Sequence, residues 1–217
     1  LPFLVHENLM RTWTKYWLPD SIFNFEEKWF ILRPMAIHSE FDLNFVTSIA
    51  KIADWKTFLE KNSAMKLFFF LGRSNVGKSS LINFLFYKKI AHTSQTPGKT
   101  RLINIFFIYH KKQPELLLGA LIDLPGYGHA KISKEERVEW DNLLAAIFDS
   151  LDQRCHLFCL QDSRHPFSNM DLVLLDYLNH YPAPRTLILT KMDQCKTQKD
   201  KHALQKTIDE KIKSFYF

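Results

Sequence analysis

The sequence has too few cysteines for a protein built on disulfides, and its apolar runs are too short for a protein that spans a membrane. Its 217 residues include three cysteines, an odd number that argues against a disulfide framework and favours a reducing compartment. No apolar run is long enough to span a bilayer and no signal peptide stands out, so we expect a cytoplasmic protein without a membrane partner. Cys155 and Cys159 flank His156 in an apolar run without a matching second pair. We therefore interpret them as buried strand residues rather than as metal ligands.

Acidic residues are absent from residues 61–114, although basic residues are frequent there. The formal net charge of the whole chain is only +6, so its positive charge is unevenly distributed. This distribution suits a nucleotide triphosphate together with a polyanionic partner such as RNA, with an ordinary solvated basic face as the alternative. The basic residues concerned are Lys88, Lys89, Lys99, Arg101, Lys111 and Lys112.

A glycine-framed loop lies between a predicted strand at residues 67–71 and a predicted helix that includes residues 81–85. The loop has the P-loop spacing, with Gly72 and Gly77 enclosing four residues and with Lys78 and Ser79 following. Its backbone N–H groups and the start of the helix attract phosphate oxygens, Lys78 can reach the outer phosphates, and the Ser79 hydroxyl can ligate Mg²⁺. The alternative, a simple glycine turn with a lysine nearby, is the weaker interpretation because the strand and the helix are both present.

Two further motifs end predicted strands. Residues 120–122 lead into a DxxG pattern from Asp123 to Gly126, where an aspartate can hold Mg²⁺ through water and a glycine N–H can sense the terminal phosphate. Residues 187–189 lead into a TKxD pattern from Thr190 to Asp193, whose carboxylate can accept two hydrogen bonds from guanine. Lys191 can lie over the base. The motifs together predict a guanine-nucleotide site.

Strand and helix signals alternate after residue 66, which predicts an α/β fold with a mostly parallel central sheet and helices on both faces. Residues 110–114 look like a hairpin connection between two apolar strands. Three helix starts are predicted by the capping residues Ser133, Ser168 and Thr197. Ligands of such sheets bind at the carboxyl ends of the strands, where the P-loop already lies.

These motifs resemble the EngB group of bacterial P-loop GTPases over roughly residues 45–213. The segments that carry the resemblance are GRSNVGKSSLIN, TSQTPGKTRLINIFF, DLPGYGHA, TKMD and the DSRHP stretch that begins at Asp162. The resemblance implies the P-loop GTPase fold and a Mg²⁺-dependent GTPase that acts as a switch in assembly of the large ribosomal subunit, with links to cell division and septation. The implied partners are GTP or GDP and a ribosomal precursor or its rRNA, bound by a protein that we expect to be monomeric.

The resemblance also implies a role for individual residues. Ser79 and Thr100 would be the metal-ligating hydroxyls, and Asn75, Lys78 and Thr100 the catalytic residues. We predict that the Asn75 carbonyl helps to bind an activating K⁺, the alternative being that Asn75 only braces its own loop. The nucleotide-binding residues predicted in this way are Gly72, Arg73, Ser74, Asn75, Val76, Gly77, Lys78, Ser79, Gly98, Lys99, Thr100, Arg101, Leu102, Asp123, Leu124, Pro125, Gly126, Thr190, Lys191, Met192 and Asp193. Residues 98–102 would close over the nucleotide as the first switch, and residues 123–126 would begin the second.

The chain departs from the resemblance in several places. Residues 1–34 match nothing in the family, so we expect an N-terminal extension followed by a GTP-binding domain over residues 35–217. The extension is a real aromatic segment, a neighbouring reading frame or an upstream mis-start before Met35, and we favour the last. A guanine-contacting loop after the last strand is not found, so we expect a truncated C-terminal end. Tyr127 occupies the position of the water-orienting glutamine of Ras-like GTPases, which predicts slow hydrolysis.

Two other classes of function remain open from the sequence. A P-loop ATPase or kinase is disfavoured by the TKxD pattern. A GTP-sensing module that binds ribosomes or RNA with negligible catalysis is the second alternative, and the missing C-terminal loop supports it.

Overall fold

The computed structural model describes residues 4–6, 23–26, 29–32, 40–90, 102–128 and 133–215, which form strands and helices in alternation over most of their length. The strands are β1 (Leu4–His6), β2 (Phe23–Glu26), β3 (Trp29–Leu32), β4 (Phe41–Ile49), β5 (Leu67–Gly72), β6 (Ile103–His110), β7 (Gln113–Asp123), β8 (Cys155–Asp162) and β9 (Arg185–Thr190). The helices are α1 (Ile52–Lys61), α2 (Lys78–Phe86), α3 (Lys134–Phe148), α4 (Asn169–Leu178) and α5 (Gln198–Lys211), with short 3-10 helices at Met192–Gln194 and Ile212–Ser214.

The nine strands form one sheet in the order β2-β3-β1-β9-β8-β5-β7-β6-β4. Its centre is parallel, because β5 pairs in parallel with β7 and β8, and β8 pairs in parallel with β9. The carboxyl ends of these four strands therefore meet at one edge of the sheet. Antiparallel strands extend the sheet on both sides, with β6 and β4 beyond β7, and β1, β3 and β2 beyond β9. The predicted α/β fold of a P-loop GTPase is confirmed.

The central strands β5, β8 and β9 are buried on both faces because helices cover each side. Helix α2 places Leu81, Ile82, Leu85 and Phe86 in a cluster with Phe70 and residues of five other strands. The larger cluster on the other face includes residues from α1, α3, α4 and α5. Strand β5 shows the alternation directly, since Phe69 packs in the larger cluster and Phe70 in the smaller one. The predicted cover of helices on both faces is therefore confirmed.

The sequence signals at helix starts correspond to real caps. Ser133, Ser168 and Thr197 each accept a hydrogen bond from the backbone N–H three residues later, and each forms a complete capping box. The predicted hairpin is also present, with β6 ending at His110 and β7 beginning at Gln113. Cys155 and Cys159 are buried in β8, as expected for strand residues.

The segment before residue 35 contributes backbone pairing to the sheet. Strand β1 runs antiparallel to β9, with Leu4 opposite Leu189, and β3 joins β1 to β2. The predicted division of the chain at residue 34 stays a prediction, and Met35 lies outside the described residues. In the described ranges, no helix combines the length and apolarity that crossing a bilayer requires.

His156 of β8 predicts a pH dependence of stability. Its Nε2 lies 2.8 Å from the Thr186 hydroxyl oxygen and its ring packs on Phe158, and desolvation lowers the pKa of His156 from 6.5 to about 3. His156 therefore binds a proton less readily in the folded state than in the unfolded chain. The contribution of neutral, buried His156 to stability is complete above pH 6.5 and is lost as pH falls toward 3. Because the ring is only partly buried, we expect a loss of about 1 kcal/mol in the free energy of unfolding between pH 7 and pH 5.

Urea unfolding of wild type and His156→Gln at both pH values measures this loss as a difference between the two proteins. Glutamine keeps a polar group beside Thr186 but does not titrate. The same change of stability with pH in both proteins would contradict the assignment.

Candidate functional site

The loop after β5 curls between the strand and helix α2. Asn75 and Gly77 both have left-handed backbone conformations, with φ of 61° and 109°, and the Val76 N–H donates to the Arg73 carbonyl at 3.2 Å. Asparagine is among the few residues with a side chain that tolerate this conformation, and glycine adopts it without strain. Gly77 is the N-cap of α2, so the positive end of that helix faces the concave side of the loop. A glycine-framed loop at the N-terminus of a helix is suited to an anionic ligand.

Lys78, the first residue of α2, forms an ion pair with Asp123 at the end of β7. The parallel register places Phe70 of β5 opposite Asp123, which brings the DxxG carboxylate next to the P-loop. The lysine side chain is 10% exposed and the aspartate side chain 7% exposed. Ions with so little access to water are tolerated only with a partner, so each of these side chains depends on the other. The pair places one cation and one carboxylate beneath the loop, which fits a triphosphate with its metal ion.

The DxxG segment packs directly against the P-loop. Arg73 and Tyr127 form a parallel β-bridge, in which the Tyr127 N–H donates to the Gly72 carbonyl at 3.3 Å and the Ser74 N–H donates to the Tyr127 carbonyl at 2.9 Å. A Cβ added at Gly126 would lie 2.6 Å from the Ser74 Cα. Any side chain at residue 126 would therefore force the two loops apart, which explains the glycine of this motif.

Tyr127 and Arg73 also meet at a buried carboxylate that the sequence did not single out as a site residue. The Tyr127 hydroxyl donates to Asp171 Oδ1 at 2.7 Å, and Arg73 Nε lies 3.5 Å from Oδ2 of the same residue. Burial, together with the Asp171 charge, raises the pKa of Tyr127 well above its usual range, so the phenol remains a donor. Asp171 is also the capping residue that the Ser168 hydroxyl contacts at 2.6 Å. The capping box was the only signal in the sequence, and it did not predict the contacts with the P-loop and DxxG segments.

The TKxD segment begins at the end of β9 and contacts the P-loop through its first residue. The Thr190 hydroxyl lies 2.6 Å from the Val76 carbonyl oxygen, to which it donates, and 3.1 Å from that of Gln161. Threonine at this position thus braces the phosphate loop. Met192 is buried, whereas Asp193 is exposed and its carboxylate accepts a hydrogen bond from the Gln194 side chain at 2.6 Å. An exposed carboxylate at this edge is accessible to a ligand.

Lys191 is held by a carboxylate from the neighbouring strand. Its backbone is left-handed, with φ of 58°, and its Nζ donates to Asp162 Oδ2 at 2.8 Å. Asp162 also binds Arg164 through Nε at 2.9 Å and Nη2 at 2.7 Å. Burial alone would raise the pKa of Asp162, but the hydrogen bonds from Arg164 and Lys191 outweigh burial and hold the pKa well below its usual range. The DSRHP stretch therefore lies beside the TKxD segment.

The described residues of the predicted site thus lie at one edge of the sheet, and their roles toward a nucleotide stay predictions. Ser79 is half-buried in the first turn of α2, next to Lys78. Leu102 directly precedes β6 and is also half-buried. Gly98, Lys99, Thr100 and Arg101 lie outside the described residues. Within the described ranges, no group of three or more His, Cys, Asp or Glu residues is arranged to hold a metal ion.

Comparison with known proteins assigns a family to this arrangement. A family model described as 50S ribosome-binding GTPase matches residues 68–191, more than half of the chain and the part that contains the P-loop, the DxxG segment and the first two residues of the TKxD segment. A probable GTP-binding protein EngB of Thermotoga petrophila is 45% identical over 127 residues, which cover 58% of this chain and 62% of the relative. Proteins with the same name from Kosmotoga olearia and Clostridium botulinum are 41% and 40% identical over 136 and 154 residues.

The alignments cover different shares of these relatives. They include 63% of this chain and 68% of the Kosmotoga protein, and 68% of this chain and 74% of the Clostridium protein. The chain spans less than two thirds of the length of the Thermotoga relative. The family model nevertheless matches more than half of the chain, and the Kosmotoga and Clostridium proteins are matched over more than two thirds of their length at 40% identity or more. The chain therefore belongs to the family of 50S ribosome-binding GTPases and, within it, to the EngB group.

Proposed function

We propose that this protein binds GTP and hydrolyses it slowly to GDP and phosphate, as a molecular switch in assembly of the large ribosomal subunit. The observation that carries the proposal is the buried Lys78–Asp123 ion pair beneath a P-loop that Thr190 connects to the TKxD segment. One edge of the sheet then offers a cation for phosphate, a carboxylate near the metal position and a second carboxylate for the base. The name of the relatives, GTP-binding protein, and the family description support the same function.

Ser79 and Thr100 are the residues that we propose to hold Mg²⁺. The ion prefers oxygen ligands in octahedral geometry and usually keeps several water molecules. Asp123 can accept a hydrogen bond from one of these waters. When bound, Mg²⁺ neutralises charge that develops on the phosphates. Lys78 adds its own positive charge at the outer phosphates, and the N–H groups of the loop orient the chain of phosphates. Residues 98–102 would close over the nucleotide and open again when the terminal phosphate has left.

Guanine specificity is assigned to Asp193. A carboxylate accepts hydrogen bonds from the two adjacent N–H donors of guanine, which adenine does not offer. The exposed position of Asp193 supports this role, and the TKxD pattern itself makes a P-loop ATPase or kinase the poorer alternative. Competition between GTP and ATP for the site distinguishes these two classes.

Slow hydrolysis is supported by the position of Tyr127. Its hydroxyl is engaged by Asp171 at 2.7 Å and so is turned toward α4 rather than free to orient a water molecule. Without a water-orienting side chain we propose an intrinsic rate of about 10⁻⁴ per second. This rate corresponds to a barrier of ~23 kcal/mol.

A basic surface supports the ribosomal partner. Lys88 follows α2 and forms an ion pair with Asp42 at the start of β4. Asp42 is opposite Tyr109, close to the hairpin residues Lys111 and Lys112, so two basic segments that are distant in sequence lie near each other. Such a surface suits rRNA, whose phosphates attract lysine without regard to sequence. We further propose a cytoplasmic monomer with a role in cell division and septum formation, as the resemblance to the family implies.

The second candidate function is a GTP-sensing module with negligible catalysis, which the engagement of Tyr127 by Asp171 also favours. Phosphate release under multiple turnover, with and without large ribosomal subunit precursors, separates the two functions. Release that rises when particles are added supports the switch. No turnover in either condition, with intact GTP binding, supports the module.

Lys78→Ala and Ser79→Ala test the phosphate site. Loss of the lysine removes charge neutralisation and leaves Asp123 buried without its partner, whereas loss of the serine hydroxyl removes a metal ligand. We expect both variants to lose at least about 100-fold in GTP affinity, in accordance with the cost of removing a charged hydrogen bond. Titration with a fluorescent GTP analogue measures the affinity, and circular dichroism checks the fold. Ser80→Ala, one residue further along α2, is the matched control, and wild-type affinity in the Lys78 and Ser79 variants would refute the P-loop assignment.

Asp193→Asn tests the base site. An amide matches xanthine better than guanine, because it donates to the xanthine carbonyl where the carboxylate accepted from guanine. We expect weaker GTP binding by about tenfold or more, and retained binding of xanthosine triphosphate. Competition titrations with the two nucleotides give the ratio of affinities. An unchanged ratio relative to wild type would show that Asp193 does not read the base.

Asn75 tests activation by K⁺. Its side chain is exposed and makes no hydrogen bond within the described part of the chain, which leaves the carbonyl available and does not support bracing of the loop. We expect single-turnover hydrolysis to be faster in KCl than in NaCl or CsCl at matched ionic strength, and the preference to disappear in Asn75→Gly. Glycine removes the carbonyl and tolerates φ of 61°, whereas alanine would add strain. Equal rates in the three salts, or a preference that survives the substitution, would exclude this role.

A further inference from the structure

Asp162 lies where two strands of the site end, and its carboxylate is bound on both oxygens. It is the last residue of β8 and is opposite Thr190 in the parallel pairing with β9. Oδ1 accepts from the Arg164 backbone N–H at 3.1 Å and from Arg164 Nε at 2.9 Å, and Oδ2 accepts from Arg164 Nη2 and from Lys191 Nζ. The Asp162 side chain is 8% exposed, so water contributes little to its stabilisation.

The same local pattern occurs at the opposite end of the region around β8. Asp152 accepts from the Arg154 backbone N–H at 2.8 Å and pairs with its guanidinium at 2.8 Å, as Asp162 does with Arg164. Asp152, however, precedes β8, is 45% exposed and has no lysine partner among the described contacts. At both ends of β8, therefore, the aspartate and the arginine of an Asp-x-Arg turn bind each other. Only Asp162 adds a contact to a nucleotide-binding segment.

We propose that Asp162 is a positioning residue for guanine recognition, acting through Lys191; this inference rests on the proposed function. The carboxylate holds the lysine ammonium at 2.8 Å, so the long side chain is ordered before the nucleotide arrives. An unrestrained lysine would lose side-chain entropy on becoming ordered. Ordering the residue in advance removes part of this cost from binding.

Arg164 completes the arrangement. Its side chain is 46% exposed, and its pKa is raised by the hydrogen bond and charge of Asp162 and, to a smaller extent, by the charge of Asp193. The guanidinium thus lies within electrostatic reach of the carboxylate that we assign to the base. Two cations share one aspartate, which leaves a net positive charge beside Asp193.

Asp162→Asn is the first test, because asparagine keeps the size of the side chain and can still accept from one cation but not satisfy both. We expect GDP affinity, measured with a fluorescent analogue, to fall by about tenfold. Asp152→Asn, the matched control, disrupts the equivalent turn outside the site and should change the affinity by less than about twofold. Equal affinities of Asp162→Asn and wild type would overturn the proposal.

A double-mutant cycle tests the route through Lys191. In a Lys191→Met background, which keeps the apolar stem without the charge, Asp162→Asn should weaken GDP binding by less than about twofold further. A full tenfold loss in that background would show that Asp162 acts through the fold instead, and would overturn the proposal. Thermal unfolding of every variant is measured in parallel.

Asp162→Glu keeps the proposal testable if the asparagine variant does not fold. Glutamate retains the charge and shifts the carboxylate by one methylene, so we expect a smaller loss of GDP affinity that again disappears in the Lys191→Met background. A loss that persists there refutes the role of Lys191. If the wild-type protein binds no guanine nucleotide, the proposed function is refuted, and the inference with it. If wild type binds normally and Asp193→Asn loses binding, but the Asp162 variants bind like wild type, only the inference is refuted.

Discussion

The phosphate loop is held by neighbouring segments on both sides, and the geometry of the site depends on these contacts. On one side the Ser74 N–H donates to the Tyr127 carbonyl, and on the other the Val76 carbonyl accepts from the Thr190 hydroxyl. Buried backbone groups need such partners, because leaving one unsatisfied costs about 1–3 kcal/mol. A displacement of the DxxG or TKxD segment therefore acts on the P-loop directly. The loop cannot respond to a ligand independently of its neighbours.

A second constraint is the distribution of charge at this edge of the sheet. The P-loop contains two cations and the TKxD segment one, and each of them is paired with an aspartate from a different element. Lys78 is paired with Asp123, Arg73 with Asp171, and Lys191 with Asp162. All three aspartates are buried, so water stabilises their charge only weakly; removing Lys78 would leave Asp123 without its cation, whereas Asp162 would keep Arg164 and Asp171 would keep its hydrogen bonds from Tyr127 and Ser168. The pairs thus fix the relative positions of β5, β7, β8 and α4, and they also keep positive charge available to an anionic ligand.

The sequence predicted the helix caps well because a capping box is a local pattern, and the proposed roles of the P-loop and DxxG residues rest on local patterns of the same kind. A P-loop, a DxxG turn and a capping box each occupy a few consecutive residues whose roles follow from their spacing. Strand β4 and helix α1 were not predicted, and their sequences explain why. Within β4 only Leu43 and Ile49 are buried, which gives no alternating pattern, and a register shift interrupts its pairing. Helix α1 starts after Lys51 without a side-chain cap and buries only Trp55 and Phe58.

The partners of the site residues could not be predicted, because they depend on which strands lie side by side. The contact of Asp162 with Lys191 requires Asp162 of β8 to lie opposite Thr190 of β9. The sequence of neither strand by itself indicates that these two strands are neighbours. The same holds for Tyr127 and Asp171, which are brought together by the packing of α4 near the DxxG segment. Local sequence specified which residues are chemically able to act. Tertiary structure determined which residues orient them.

Two hydroxyl-bearing residues of the site serve the scaffold in this structure. Thr190 braces the P-loop, and Tyr127, in the place of the water-orienting glutamine of Ras-like GTPases, is bound to Asp171. Neither hydroxyl is available for chemistry while these contacts last. If the protein turns over GTP, the groups that orient water must come from elsewhere, from residues 98–101, from a bound cation near Asn75 or from a partner. Catalysis would then depend on an event that completes the site, which is the behaviour required of a switch.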